Sequence, residues 1–187
     1  MGILEATQAV EPLSLESAKA LAQIIERKSL KKGQHVLYFG EVDKYMHFMV
    51  QGAGRVYYEH DGKDITDYLA LDGQFLGGVI SMFTGKPSHK AIEILEDSEV
   101  ESLHYPSFER LCAQYHDIER LGRKMATFAF LEAQERIESI RFHSAAERYA
   151  FLELKYPGIS NRIPLKHLAS YLGTTQVSLS RIRAGIQ

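Results

Sequence analysis

Eight residues near the end of this 187-residue chain have the types and spacing to meet a nucleic acid: Lys166, Thr175, Gln176, Val177, Ser178, Ser180, Arg181 and Arg183. An arginine can donate two hydrogen bonds to a guanine edge, and lysine and serine can hold phosphate oxygens. That chemistry needs a narrow, rigid element to carry it into a groove. Residues 165–183, LKHLASYLGTTQVSLSRIR, have the spacing of a helix-turn-helix. Ala169 is small where two helices would cross, and Gly173, four residues on, tolerates positive φ in the turn. Thr174 or Thr175 can cap the second helix by accepting from a free backbone N–H. Leu179 and Ile182 would bury its inner face, with Leu168 and Leu172 filling the apolar positions before it. The polar residues then lie wholly or partly on the remaining faces, where they can enter a major groove.

Charge supports the same placement. Residues 141–187 hold seven Lys or Arg against two acids, a net of +5 in a chain whose total is −2, so residues 1–140 carry −7. A balanced whole hides a basic end, the footprint of a phosphate-facing surface.

Composition narrows the other possibilities. Cys112 is the only cysteine, which excludes an internal disulfide and a cysteine-ligated cluster within one chain. A metal-binding jelly-roll enzyme would need a His-x-His pair, and none occurs among the eight histidines. No Walker-type loop is present and no Ser-His-Asp spacing stands out, so the chain reads as a non-enzyme without a resident cofactor or metal. No run of eighteen apolar residues and no secretory leader is visible, so a cytoplasmic protein without membrane contact is expected.

The elements that must position the basic end can be read in order. Residues 13–28 place Leu13, Leu21, Ile24 and Ile25 at helical spacing, predicting a short amphipathic helix. Six β-rich runs follow, at 35–39, 45–50, 54–60, 65–71, 89–95 and 98–105, with Asp61-Gly62 marking a type I′ hairpin between two of them. Strands at this spacing predict an antiparallel sandwich or β-roll of the jelly-roll type. QFLGGVISMFTGKP (74–87) interrupts it, and its Gly77-Gly78 pair opening a short helix would leave N–H groups able to hold an anion. From Pro106 to about Phe142 apolar residues recur every three or four positions, most regularly from Asp117. About twenty-five such residues span roughly 37 Å, more than a small roll can cover. Ile118, Leu121, Gly122, Met125, Phe128 and Ala129 are the expected contacts with a second copy, Gly122 and Ala129 allowing close approach. Residues 144–156 form another helix, with Ser144 and Glu147 as a capping box, ended by Pro157-Gly158. The expected fold class is α+β: a sensor roll at 1–116, a dimerisation helix at 117–142 and a helix-turn-helix domain at 143–187.

Taken together, the order helix, β-roll, long helix and helix-turn-helix resembles the Crp/Fnr superfamily of transcription regulators across essentially the whole chain. DGKDITDYLALDGQFLGG and KHLASYLGTTQVSLSRIR carry the resemblance most specifically, the latter being similar to a short subfamily without the usual β-wing. The resemblance implies a homodimer on double-stranded DNA, with RNA polymerase as a further partner. It places base contacts on Gln176, Val177 and Arg181 and phosphate contacts on Lys166 and Ser178. Val177 stands where a carboxylate is usual, so the common TGTGA-like half-site is not expected. The implied effector pocket would involve Phe75, Leu76, Gly77, Gly78, His89 and Lys90. Gly78, His89 and Lys90 stand where cyclic-nucleotide binders carry a glutamate and an Arg-Ser or Arg-Thr pair, so cyclic AMP is not the expected ligand. The competing reading is a degenerate roll whose small C-terminal domain docks a protein instead of DNA.

Overall fold

The computed structural model describes residues 1–185. Two short helices, α1 (Ile3–Val10) and α2 (Leu15–Ala22), precede eight strands: β1 (Ile25–Leu30), β2 (His35–Leu37), β3 (Tyr45–Gln51), β4 (Gly54–His60), β5 (Lys63–Ala70), β6 (Phe75–Leu76), β7 (Ala91–Ile94) and β8 (Ser98–His104). Helix α3 (Val79–Thr84) lies between β6 and β7. The chain continues as α4 (Tyr105–Cys112), the 27-residue α5 (His116–Phe142), α6 (Ala145–Lys155), α7 (Ile159–Arg162), α8 (Leu165–Tyr171) and α9 (Gln176–Arg183).

The strands form two antiparallel four-stranded sheets, ordered β1-β8-β3-β6 and β2-β7-β4-β5, which is the expected α+β roll. Alternating inward residues make the core between them: Leu37, Met49, Val56, Leu76, Ile92, Ile94 and Val100 are all buried. The Asp61-Gly62 turn closes β4 on β5 with φ of 49° and 69°, the two positive values a type I′ hairpin requires. A second core, including Ile3, Leu21, Phe48, Phe108, Ile118 and Leu121, fixes α1, α2, α4 and the start of α5 to the first sheet.

One local expectation changes. The helix expected over 13–28 ends at Ala22, and Ile25 begins β1 opposite Leu103 of β8. Adjacent β-branched Ile24 and Ile25 fit an extended chain better than a helix, and β8 needs a partner on that side, so sheet pairing overrides the helical periodicity. The extreme N-terminus forms α1 because Ile3 inserts fully into the second core and its amide donates to Glu101 Oε2 at 2.7 Å.

Candidate nucleic-acid interface

Helices α8 and α9 form the helix-turn-helix the spacing predicted. Leu168, Ala169, Leu172 and Leu179 are between 0% and 3% exposed, so the two helices meet over a dry contact. Gly173 adopts φ of 62° in the turn. Thr175 caps α9, its hydroxyl accepting from the Ser178 amide at 3.1 Å. With Leu179 turned fully inward, the outer face of α9 is left to solvent. Lys166, Thr175, Gln176, Val177, Ser178, Ser180, Arg181 and Arg183 are all exposed on this unit. Its chemistry is that of donors and cations on a convex helix, suited to phosphates and base edges.

The helix-turn-helix does not hang free. Leu152, Ile159, Ile163, Leu168 and Leu179 share one buried cluster with Ala53, Leu69, Leu71 and Leu95 of the roll. Arg162 donates to Asp72 Oδ2 at 2.6 Å, to Glu96 Oε1 at 3.1 Å and to the Gly52 carbonyl at 3.0 Å. The Thr66 amide of β5 donates to Ser170 Oγ at 2.8 Å. Arg55, 3% exposed, is held by Asp64, Glu93 and Thr66 and stacks on Tyr57 at 4.0 Å, directly beneath α8. Sequence spacing contained no signal for Arg162 or Arg55, because both act between elements distant in the chain.

Buried histidines make this arrangement sensitive to acid. Burial, with the positive charges of Arg55 and Lys166, pushes His167 of α8 down to about 4. Burial does the same to His47 of β3, which is hydrogen-bonded through Nδ1 to Ser102 Oγ at 2.8 Å. The unfolded chain takes up these protons as pH falls through about 6.5, while the folded chain resists until about 4. Stability is therefore complete above 6.5 and lost on the acid side. Urea unfolding at pH 7 and pH 5 should differ by about 1–2 kcal/mol per histidine, and His167→Gln should remove roughly half of the difference. An equal stability at the two pH values would contradict this assignment.

Helix α5 divides the six expected dimer residues. Ile118 and Leu121 are 0% and 1% exposed against the roll's own helices, so they are not available to a second copy. Met125 packs on the same core. A Cβ at Gly122 would lie 3.2 Å from the Phe108 ring, so this glycine accommodates α4 and not a partner. Phe128 and Ala129 are exposed. Beyond them Ala126, Phe130, Ala133, Ile137 and Ile140, spaced alternately by four and three, make an exposed apolar stripe. The exposed apolar stripe thus begins further along the helix than the expected seam, since the first two turns are covered by the roll.

The effector pocket changes more. Leu76 is buried in the inter-sheet core and Phe75 packs edge-on against Phe48, ring centroids 4.9 Å apart. Gly77 lies against the Tyr45 carbonyl, and the Gly78 amide, expected to hold an anion, donates to Asp43 Oδ2 at 2.6 Å. Asp43 is 4% exposed, and its own amide donates to Ser81 Oγ at 3.0 Å. A carboxylate of the chain itself therefore occupies the mouth of α3. Lys90 pairs with Asp67 at 2.7 Å, and His89 points to solvent. With Leu76 in the core and His89 at the surface, the six expected residues do not share one face. Asp43 carries no local signal in the sequence, since it lies thirty-five residues from its partner.

Cys112, the C-terminal residue of α4, is half-buried, and burial pushes its thiol up to about 11, away from reactivity. No helix among the described residues is long and apolar enough to cross a membrane, and no group of side chains among them could hold a metal ion.

Comparison with known proteins agrees with this architecture. Residues 27–115 match the family described as cyclic nucleotide-binding domain. No curated protein matches the chain. Among solved structures, FixK2 from Bradyrhizobium japonicum is 20% identical, with a TM-score of 0.73 over 87% of this chain and 84% of that one. A protein from Eubacterium rectale ascribed to the crp/fnr family of transcriptional regulators is 18% identical, with a TM-score of 0.69 over 92% and 83%. The catabolite activator protein of Thermus thermophilus is 20% identical, with a TM-score of 0.57 over 96% and 85%. Residues 27–115 thus match the cyclic nucleotide-binding domain family, and the chain carries them on a fold similar to that of these solved regulators.

Proposed function

We propose that this chain is a cytoplasmic, homodimeric, sequence-specific DNA-binding transcription regulator that reads an inverted repeat. The observation that carries this reading is the outer face of α9, where Gln176, Val177, Ser180, Arg181 and Arg183 are exposed while Leu179 on the opposite side is fully buried. A helix that turns its polar, basic side outward from a firmly anchored scaffold is shaped for a major groove. The stripe on α5 from Ala126 to Ile140 supports pairing with a second copy, because an exposed apolar seam of this regularity is otherwise a liability in water. Two copies joined there would carry their heads about one DNA turn apart, on the order of 34 Å. RNA polymerase is the further partner of such a dimer at a promoter.

The roll's ligand, where it has one, is not cyclic AMP. Asp43 already takes the Gly78 amide, Lys90 is paired with Asp67, and no carboxylate stands at Gly78 to accept from a ribose.

Selection of bound duplexes from a randomised pool at moderate salt tests the reading. Wild type should enrich an inverted repeat. Arg181→Ala should leave the dimer intact but lose about 1–3 kcal/mol of discrimination at one position of each half-site. Unchanged base preference in that variant would sink the assignment of Arg181, and a failure of wild type to enrich any sequence would favour the protein-docking alternative.

A further inference from the structure

We infer that Arg148 is the positioning residue that fixes the direction of each reading head relative to α5, and thereby the spacing between half-sites that the dimer accepts. This rests on the DNA-reading function proposed above. Arg148 lies in α6, one turn after the break that ends α5, and its side chain is half-buried. Nη1 donates back across that break to the His143 carbonyl at 2.5 Å. Nε and Nη2 donate to the Leu172 carbonyl at 3.0 and 2.7 Å. His143 is the C-cap of α5 and Leu172 the C-cap of α8. One planar cation therefore closes the free carbonyl ends of both helices, where the backbone lacks internal donors and the helix dipoles are negative.

The geometry of the break gives this contact its consequence. His143 and Ser144 are extended, with φ and ψ of −110° and 144° and of −65° and 162°. Two extended residues between helices form a hinge whose torsions the backbone alone does not fix. Arg148 spans it, tying the end of α5 to the residue before Gly173, whose turn sets the angle of α9. A Cβ added at Gly173 would lie 3.8 Å from Nη2, so the turn rests directly on the guanidinium. The fork is rigid and planar, which transmits orientation as well as distance. Arg162 makes the corresponding tie to the roll, but among the described residues Arg148 alone bridges the hinge and the turn with hydrogen bonds from one side chain.

The test separates orientation from base reading. Full-length wild type, Arg148→Gln and Arg148→Lys are each run against a duplex pool with randomised half-sites and variable spacers. Wild type should enrich one spacer length. Arg148→Gln should enrich the same half-site sequence across several spacers, with affinity at the best spacer reduced by about tenfold, the loss of a charge-assisted hydrogen bond. Arg148→Lys, which offers a point charge without the fork, should fall between them and serves as the informative variant should Arg148→Gln fail to fold by circular dichroism. In parallel, spin labels at Glu138→Cys on α5 and Ala184→Cys after α9, in a Cys112→Ser background diluted with unlabelled chain, report the intrachain distance. Its distribution should be narrow in wild type and at least about twice as broad in Arg148→Gln, as an unstrapped hinge requires. An unchanged width together with an unchanged single spacer would overturn the inference. Should wild type enrich no repeat, the DNA-reading proposal falls, and the width of the distance distribution by itself upholds or overturns the strap.

Discussion

Arg55→Ala is expected to lower the unfolding free energy by about 3 kcal/mol, among the largest effects of any single change in this protein. The guanidinium is 3% exposed and engages Asp64 and Glu93 while lying on the Tyr57 ring. Burial would raise the Asp64 carboxyl, but hydrogen bonds from Arg55 hold it below the usual carboxylate range. Removing the cation leaves two carboxylates facing each other beneath α8. Breaking a buried pair from one side costs about 3–5 kcal/mol, and partial water contact of Asp64 and Glu93, 43% and 22% exposed, places this case at the lower end. Arg55→Lys should rescue little, because one ammonium cannot serve both carboxylates and stack on a ring. Urea titration at pH 7 measures the loss, and a change below about 1 kcal/mol would show the cluster to be solvated.

Leu179→Ala should cost about 2–5 kcal/mol through the cavity it opens. Leu179 is fully buried in the cluster that joins the head to Leu69, Leu71 and Leu95, so the loss is felt on both sides of the junction. Val177, two residues away and 65% exposed, provides the control, since its truncation should change stability by no more than about 0.5 kcal/mol. Thermal unfolding of the two variants side by side measures which face of α9 is inner. Equal effects would mean that α9 is rotated about its axis relative to this structure.

The contrast between those residues explains what could be read in advance. Leu179, Gly173 and Thr175 obey local rules of helix spacing, turn conformation and capping, so the helix-turn-helix was legible residue by residue. So were the Asp61-Gly62 hairpin and the Ser144-Glu147 capping box, in which Ser144 accepts from the Glu147 amide at 3.3 Å and donates its own to Glu147 at 2.7 Å. The Ile24-Ile25 pair fits a helix as well as a strand, and only the presence of β8 decides that β1 begins there. The first turns of α5 are ambiguous in sequence for a related reason. Periodicity marks which residues are apolar on one face but not which surface covers them, and Ile118 and Leu121 are covered by the roll itself. Asp43, Arg148 and Arg162 were invisible because each completes a contact made by tertiary folding, and a lone charged residue in a sequence carries no sign of its eventual partner.

The hydrogen bond from Thr66 to Ser170 has a consequence for solubility. β5 is the outermost strand of its sheet, and an open strand edge is a template on which other chains can add. By laying α8 along β5, the head closes that edge with a side-chain hydroxyl and a wall of apolar side chains. A head that swings away leaves behind a row of backbone donors and acceptors competent for strand exchange. Keeping the head docked therefore guards the protein against polymerising through its own roll.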